Sequence, residues 1–232
     1  IENLNKKNGN IIFIERKKKL GLGTAHKLCL LYAIKFNYDF LVTMDADLSH
    51  EPSSIPFLLS KATEDNFVIG SRYCDGGKCD YTGLRKIVSM MGNYVARKLL
   101  NIDLFEITTY FRIYSVKLIK KLPYDELNAE GYSLGVKIVW LMKKLNAKLV
   151  ETPIHFKHRN KGASKIPKLQ IFISFFDLLI LKFKDLFQHQ KFYEKNETYN
   201  FKNTCTKCEN SYLTSIKEKV YKCLICGYVN KV

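Results

Sequence analysis

The sequence predicts an α/β protein: a mostly parallel sheet with helices on both faces, followed by a small metal-stapled unit. Two observations predict it. Short apolar runs alternate with stretches of helical spacing from Ile11 to Phe156. The C-terminal region then carries Cys205, Cys208, Cys223 and Cys226 as C-x2-C-x14-C-x2-C.

Taken in order, Ile11 to Ile14 is apolar after the turn signal Asn8-Gly9-Asn10 and reads as a buried strand. Gly21-Leu-Gly23 follows; it lacks the third glycine of a dinucleotide-binding loop and reads as a simple turn. Ala25 to Phe36 has helical spacing. Phe40 to Met44 is a second buried strand, ending at Asp45-Ala46-Asp47, and Pro52 opens a helix through Ala62. Phe67 to Ile69 is a third strand, ending at Gly70-Ser71-Arg72. Arg85 to Leu100 reads as an amphipathic helix, Leu134 to Leu145 as a helix and Leu149 to Phe156 as a strand; Phe111 to Leu122 fits no single pattern. In such sheets ligands bind beyond the carboxyl ends of the strands. Both Asp45-Ala46-Asp47 and Gly70-Ser71-Arg72 fall at such ends.

Lys157 to Lys168 is basic throughout, with no acidic residue, and Ile171 to Phe187 is very apolar. Its polar positions, Ser174, Asp177, Lys182, Lys184 and Asp185, fall within an arc of about 160°. The continuous apolar face either packs on the protein's own core or lies in a membrane surface, with the basic stretch reaching headgroups. Gln188 to Asn203 is a polar linker. The expected units are therefore 1–170, 171–187, 188–203 and 204–232.

With 47% hydrophobic and 26% charged residues the chain is globular rather than disordered. No uncharged apolar run reaches the ~20 residues that span a bilayer, and residues 1–10 carry no secretory leader. A net charge of +16, from 38 Lys+Arg against 22 Asp+Glu, favours polyanionic partners: nucleic acid, phosphorylated small molecules or anionic membrane.

The cysteine pattern has zinc-ribbon spacing, against the alternative of disulfides in a secreted protein, and four thiolates make a closed, structural Zn²⁺ site with no open position for catalysis. Some 30 residues cannot bury enough surface alone, so the metal holds the tail together. Cys29, Cys74 and Cys79 are scattered and read as inert thiols. The carboxylates of Asp45 and Asp47 suit Mg²⁺ or Mn²⁺ on a diphosphate, against the plainer reading of a solvated acidic loop. Arg72, Arg85 and Ser89 could meet phosphate oxygens, against ordinary surface roles.

Three segments in order, Leu20-Gly-Leu-Gly-Thr-Ala25, Val42-Thr-Met-Asp-Ala-Asp-Leu-Ser-His50 and Val68-Ile-Gly-Ser-Arg-Tyr73, carry a family likeness. Arg85 with Ser89, Gly131-Tyr132, Glu151-Thr-Pro-Ile154, and Arg159 with Gly162-x-Ser164-Lys165 extend it. Together they resemble the polyprenyl-phosphate sugar transferases of the dolichol-phosphate mannosyltransferase type, family 2 glycosyltransferases of Rossmann-like GT-A fold. The resemblance runs from Ile11 to Phe187 and leaves the ribbon outside.

It implies inverting transfer of a sugar from GDP-mannose or UDP-glucose to a polyprenyl phosphate, by a peripheral enzyme on the cytoplasmic face of a membrane. Asp45 and Asp47 would bind Mg²⁺ or Mn²⁺, with Ser49 at a third ligand position. Arg72, Arg85, Ser89, Arg159 and Lys165 would face donor or acceptor phosphates. It also implies a first strand and a Pro-x-Tyr-Asn-Glu motif before Ile1, so the chain reads as N-terminally truncated.

Two segments depart from the family pattern. Asp-x-Thr-Ser-Gly-Phe-Arg becomes Glu106-Ile-Thr-Thr-Tyr-Phe-Arg112, with Tyr110 where a small residue is usual. Phe-Gln-x-Glu becomes Leu134-Gly-Val-Lys137. Rival functions are transfer to another lipid or a soluble glycan, and a zinc-ribbon nucleic-acid binder. The ribbon lacks a dense Arg/Lys face, which argues against nucleic acid; a protein partner could dock there instead.

Overall fold

The computed structural model describes residues 11–16, 18, 20–124, 127, 132–157, 175–183, 204–217 and 220–231. The linker expected at 188–203 lies outside them, as do Arg159 and Lys165.

Helix α1 (Leu22–Lys35) begins after Gly21, whose φ of 90° only glycine adopts freely. Thr24 Oγ1 donates to the carbonyls of Leu20 (3.0 Å) and Gly21 (2.9 Å), fixing the entry turn. Asn37 ends the helix in the left-handed region, φ 52°. Strand β1 (Phe40–Thr43), a 3₁₀ turn (Pro52–Ser54), α2 (Ile55–Leu59), β2 (Asn66–Ser71), β3 (Lys78–Cys79) and α3 (Gly83–Leu99) follow. Then come β4 (Arg112–Ser115), α4 (Val116–Ile119), α5 (Tyr132–Lys144), β5 (Lys148–Pro153) and β6 (His155–Phe156). The cysteine unit contributes β7 (Leu213–Lys217), β8 (Val220–Cys223) and β9 (Val229–Lys231).

The main sheet has the order β1-β4-β2-β5. Strands β2 and β5 are parallel, and β4 is antiparallel to both β1 and β2, so three of four strands share one direction. Strand β2 is buried at all six positions, its apolar run Phe67 to Ile69 at the centre and polar Asn66 and Ser71 at the ends. Its alternate residues feed two cores. Phe67 and Ile69 pack with α1 and α5, whereas Val68 joins Leu58 of α2 and Ile113. The expected helices on both faces are present.

Two local expectations are corrected. Ile11 to Ile14 forms no strand, and Ile12 and Phe13 are 63% and 61% exposed. Strand β1 is the edge of the described sheet, and an apolar run becomes a strand only when a neighbour accepts its hydrogen bonds. The helix expected from Pro52 to Ala62 is shorter, a 3₁₀ turn followed by five residues of α-helix. Phe111 to Leu122 resolves into the reversed strand β4 and the single turn α4.

Residues 175–183 are helical and two-faced. Leu178 and Leu181 join the main core, while Phe175, Phe176, Ile180 and Phe183 are exposed. The core and surface readings of this segment each have a face. Among the described residues no helix is long and apolar enough to cross a membrane.

Candidate active site and metal centre

Asp45 and Asp47 lie in the loop beyond the carboxyl end of β1, as the chain order demands. The loop is tightly tied. The Asp45 amide donates to His50 Nδ1 (3.1 Å), so this nitrogen is the unprotonated one. The Ser49 amide donates to Asp47 Oδ1 (3.1 Å), and the Ser49 hydroxyl bonds the same oxygen. Leu48 sits at φ 65°, a left-handed conformation that costs a branched residue on the order of 1 kcal/mol. The Lys157 amide donates to Ser49 O (3.0 Å), so the basic stretch starts from the edge of this loop.

Arg72 follows β2 at the same end of the sheet. It is 7% exposed, and its Nε donates to Glu106 Oε2 at 2.7 Å, Glu106 being fully buried. Its Nη2 donates to Thr108 Oγ1 (3.2 Å). Burial alone would depress the Arg72 pKa, but the Glu106 carboxylate outweighs it and holds the pKa above the ordinary value. The Thr108 amide and hydroxyl donate to the other carboxylate oxygen of Glu106 (3.0 and 2.5 Å). Glu151 in turn accepts from the amides of Phe105 (2.8 Å) and Glu106 (2.7 Å). Gly77 packs where a Cβ would stand 2.7 Å from the Arg72 and Ser71 backbone, so no larger residue fits the turn.

Helix α3 brings Ser89 to this network, because Tyr73 donates its hydroxyl to Ser89 Oγ (2.9 Å). One turn on, buried Asn93 accepts from the Ile107 amide (2.9 Å) and donates to Thr108 Oγ1 (3.3 Å) and Ser89 O (3.1 Å). Arg85 is exposed. It donates to the Tyr81 hydroxyl (2.7 Å) and lies 3.7 Å above that ring. Phe156 of β6 is the shared neighbour. Its ring meets His50 at 5.1 Å and Tyr81 at 5.2 Å, and the Arg72 guanidinium lies 5.0 Å from it. Phe156 thus touches Arg72 directly, the Asp45 loop through His50, and Arg85 through Tyr81, while Ser89 joins through Tyr73.

Sequence reasoning assigned no role to Asn93, Thr108, Tyr81 or Phe156. A polar residue one turn after Ser89, on the inward side of an amphipathic helix, was the available signal for Asn93.

One position from each departing segment meets in space, Tyr110 and Gly135. Tyr110 stacks on His26 of α1 at 4.1 Å, and its carbonyl accepts from Thr43 Oγ1 (2.7 Å). A Cβ at Gly135 would stand 3.3 Å from the Tyr110 hydroxyl and 3.1 Å from Arg112 Nη2. The missing side chain at position 135 leaves the volume that the Tyr110 ring fills.

The four cysteines form a second centre, whose sulfur atoms all lie within 4.8 Å of one another. Cys205 and Cys226 are 3.7 Å apart and Cys208 and Cys223 3.6 Å. A tetrahedron with metal–sulfur bonds of about 2.3 Å has edges of about 3.8 Å, so the spacing fits a zinc ribbon. The two knuckles match. The amides of Lys207 and Ile225 point at Cys205 and Cys223 sulfur (3.4 Å each), and each knuckle ends in a left-handed residue, Glu209 or Gly227. Burial raises the Cys223 thiol to about 12, so a divalent ion must displace protons when it binds.

Comparison with known proteins identifies the family. The family described as glycosyl transferase family 2 matches residues 1–123, more than half of the 232. An undecaprenyl-phosphate mannosyltransferase of Micrococcus luteus is 34% identical over 154 residues, 66% of this chain and 63% of the relative. A polyprenol monophosphomannose synthase of Mycolicibacterium smegmatis is 31% identical over 155 residues, 66% of this chain and 58% of the relative. The chain thus spans about three fifths of these curated relatives. Matched over more than half its length and built on a mostly parallel sheet with helices, the chain belongs to glycosyl transferase family 2.

Proposed function

We propose that this protein transfers mannose from GDP-mannose to the phosphate of a polyprenyl lipid, with inversion at the anomeric carbon and dependence on Mg²⁺ or Mn²⁺. The observation that carries the reading is that Phe156 meets His50 of the Asp45 loop, the Arg72 guanidinium and Tyr81, the ring on which Arg85 lies. The names of the two relatives support the lipid-phosphate acceptor and the mannosyl donor.

Asp45, Asp47 and Ser49 are hard oxygen donors suited to either ion. When bound, the ion offsets charge developing on the departing nucleoside diphosphate. Arg72, fixed by Glu106 and Thr108, contributes a stationary positive charge rather than a swinging arm. Arg85 offers exposed guanidinium nitrogens, steadied by Tyr81. Arg159 and Lys165 lie outside the described residues and are assigned to the acceptor phosphate from the family resemblance. That phosphate has a second pKa of about 6 and attacks as an anion, so no strong base is needed. The site's work is orientation and charge compensation.

Peripheral membrane contact is part of the proposal. Helix α3 exposes Leu84, Ile87, Val88, Met91 and Tyr94 beside Arg85. The helix at 175–183 adds an exposed aromatic face. Apolar residues next to cations suit the boundary between headgroups and acyl chains. The four-cysteine unit is assigned a structural Zn²⁺.

The test is transfer of labelled mannose from GDP-mannose to a polyprenyl phosphate with Mn²⁺, comparing the wild-type protein with Asp47→Ala. The variant should lose about 100-fold or more in rate. Full activity in Asp47→Ala overturns the metal assignment. Preference for UDP-glucose, diacylglycerol or a soluble glycan overturns the donor or acceptor.

A further inference from the structure

We infer that the four-cysteine ribbon is a metal-dependent clamp on α1, and that its metal thereby sets the order of the Asp45 loop. The ribbon is packed, not appended. Tyr212 and Leu224, nearly or fully buried, belong to the main core together with Leu28, Leu30 and Leu31 of α1.

Both ends of α1 are gripped. At the C-terminal end the Tyr212 ring lies 6.5 Å from that of Tyr32, and Lys35 Nζ donates to Ser211 Oγ (3.2 Å) while sitting 5.0 Å above Tyr212. Beyond the other end Gly227 rests on Leu20 so closely that a Cβ would stand 2.7 Å from Leu20 Cδ2. A 14-residue helix is about 21 Å long, so the small ribbon reaches along its whole length.

Tyr212, Leu224 and Gly227 hang on the second cysteine knuckle. The Leu224 amide donates to the Tyr212 carbonyl (2.9 Å), Leu224 follows Cys223 directly, and Gly227 follows Cys226. A unit this short has too little core to fold without its metal, so loss of the ion releases both grips.

The consequence reaches the catalytic end through His26. Its ring stacks on Tyr110, whose carbonyl accepts from Thr43, two residues before Asp45. Four thiolates leave the metal no open position, so it acts on α1 by packing alone. The link to catalysis rests on the function proposed above, but the experiment reads structure only, so the two fail separately.

Amide hydrogen exchange of the protein, zinc-loaded and after treatment with a zinc-selective chelator, tests the clamp. Chelation should speed exchange throughout Leu22–Lys35 by about tenfold or more and speed exchange of the Asp45 amide as well. Tyr212→Ala, which keeps all four ligands, should still bind one zinc per chain and show the same loosening of α1. Unchanged α1 exchange in either zinc-free protein or zinc-loaded Tyr212→Ala overturns the clamp. A loosened α1 with an unchanged Asp45 amide overturns its reach to the loop.

Discussion

The Arg72–Glu106 pair is the costliest element of the site to break, because both side chains are nearly or fully buried. Glu106→Gln keeps the shape but leaves a buried guanidinium without its counter-charge. Removing one partner of such a pair costs about 3–5 kcal/mol. The midpoint of urea unfolding should fall accordingly, and a wild-type midpoint would mean the pair is solvated. His26 carries a separate, pH-dependent contribution. Burial first, and the Arg112 charge second, lower its pKa from 6.5 to about 4. A lowered histidine pKa favours the neutral ring in the folded state. Its contribution is therefore complete above pH 6.5 and is lost as the pH falls from there toward 4. Between pH 7 and 4.5 this group should remove about 2 kcal/mol of stability. His26→Phe keeps the stack on Tyr110 and should remove that share of the acid loss, leaving the share due to carboxylates. An identical pH profile for wild type and His26→Phe would show that His26 protonates freely in the fold.

Elements buried on both faces were readable from the chain, and those made by long-range partners were not. Phe67-Val-Ile69 announces β2 because every position needs apolar cover. Ile11 to Ile14 has the same local pattern without a paired neighbour, which no local pattern reports. Strand β4 was hidden by its first residue. Arg112 is fully buried, with its guanidinium donating to the carbonyls of Thr109 (2.6 Å), Ile107 (2.9 Å) and Gly135 (3.0 Å). Two loop carbonyls and one from α5 can satisfy a buried charge, yet in sequence such an arginine reads as a surface residue. The Asp45 loop was legible because strand ends in α/β sheets have a fixed meaning. Glu106 entered only through the family pattern and Asn93 not at all, since their partners lie 34 residues away for Glu106 and 14 for Asn93. Tyr110 and Gly135 read as two unrelated departures; in three dimensions they are one exchange of volume.

At the scale of the whole molecule, the net +16 and the apolar face of α3 make distinguishable demands on a lipid surface. Charge attraction reaches about 8 Å at physiological salt and about 3 Å near 1 M, whereas apolar burial is not screened. Sedimentation with vesicles can separate them. At about 50 mM salt the protein should bind vesicles containing anionic lipid well and neutral vesicles weakly, and at about 500 mM the difference should narrow. Ile87→Glu combined with Met91→Glu places two acids on the exposed face of α3. Such exposed substitutions leave folding stability within about 0.5 kcal/mol each, so lost binding reports the surface and not the fold. The double variant should bind less at both salt concentrations, because it removes the unscreened part and opposes the screened one. Equal binding to anionic and neutral vesicles at low salt would remove the role given to charge. Wild-type binding by the double variant would remove the role given to α3, leaving the exposed face at 175–183 to carry any apolar contact.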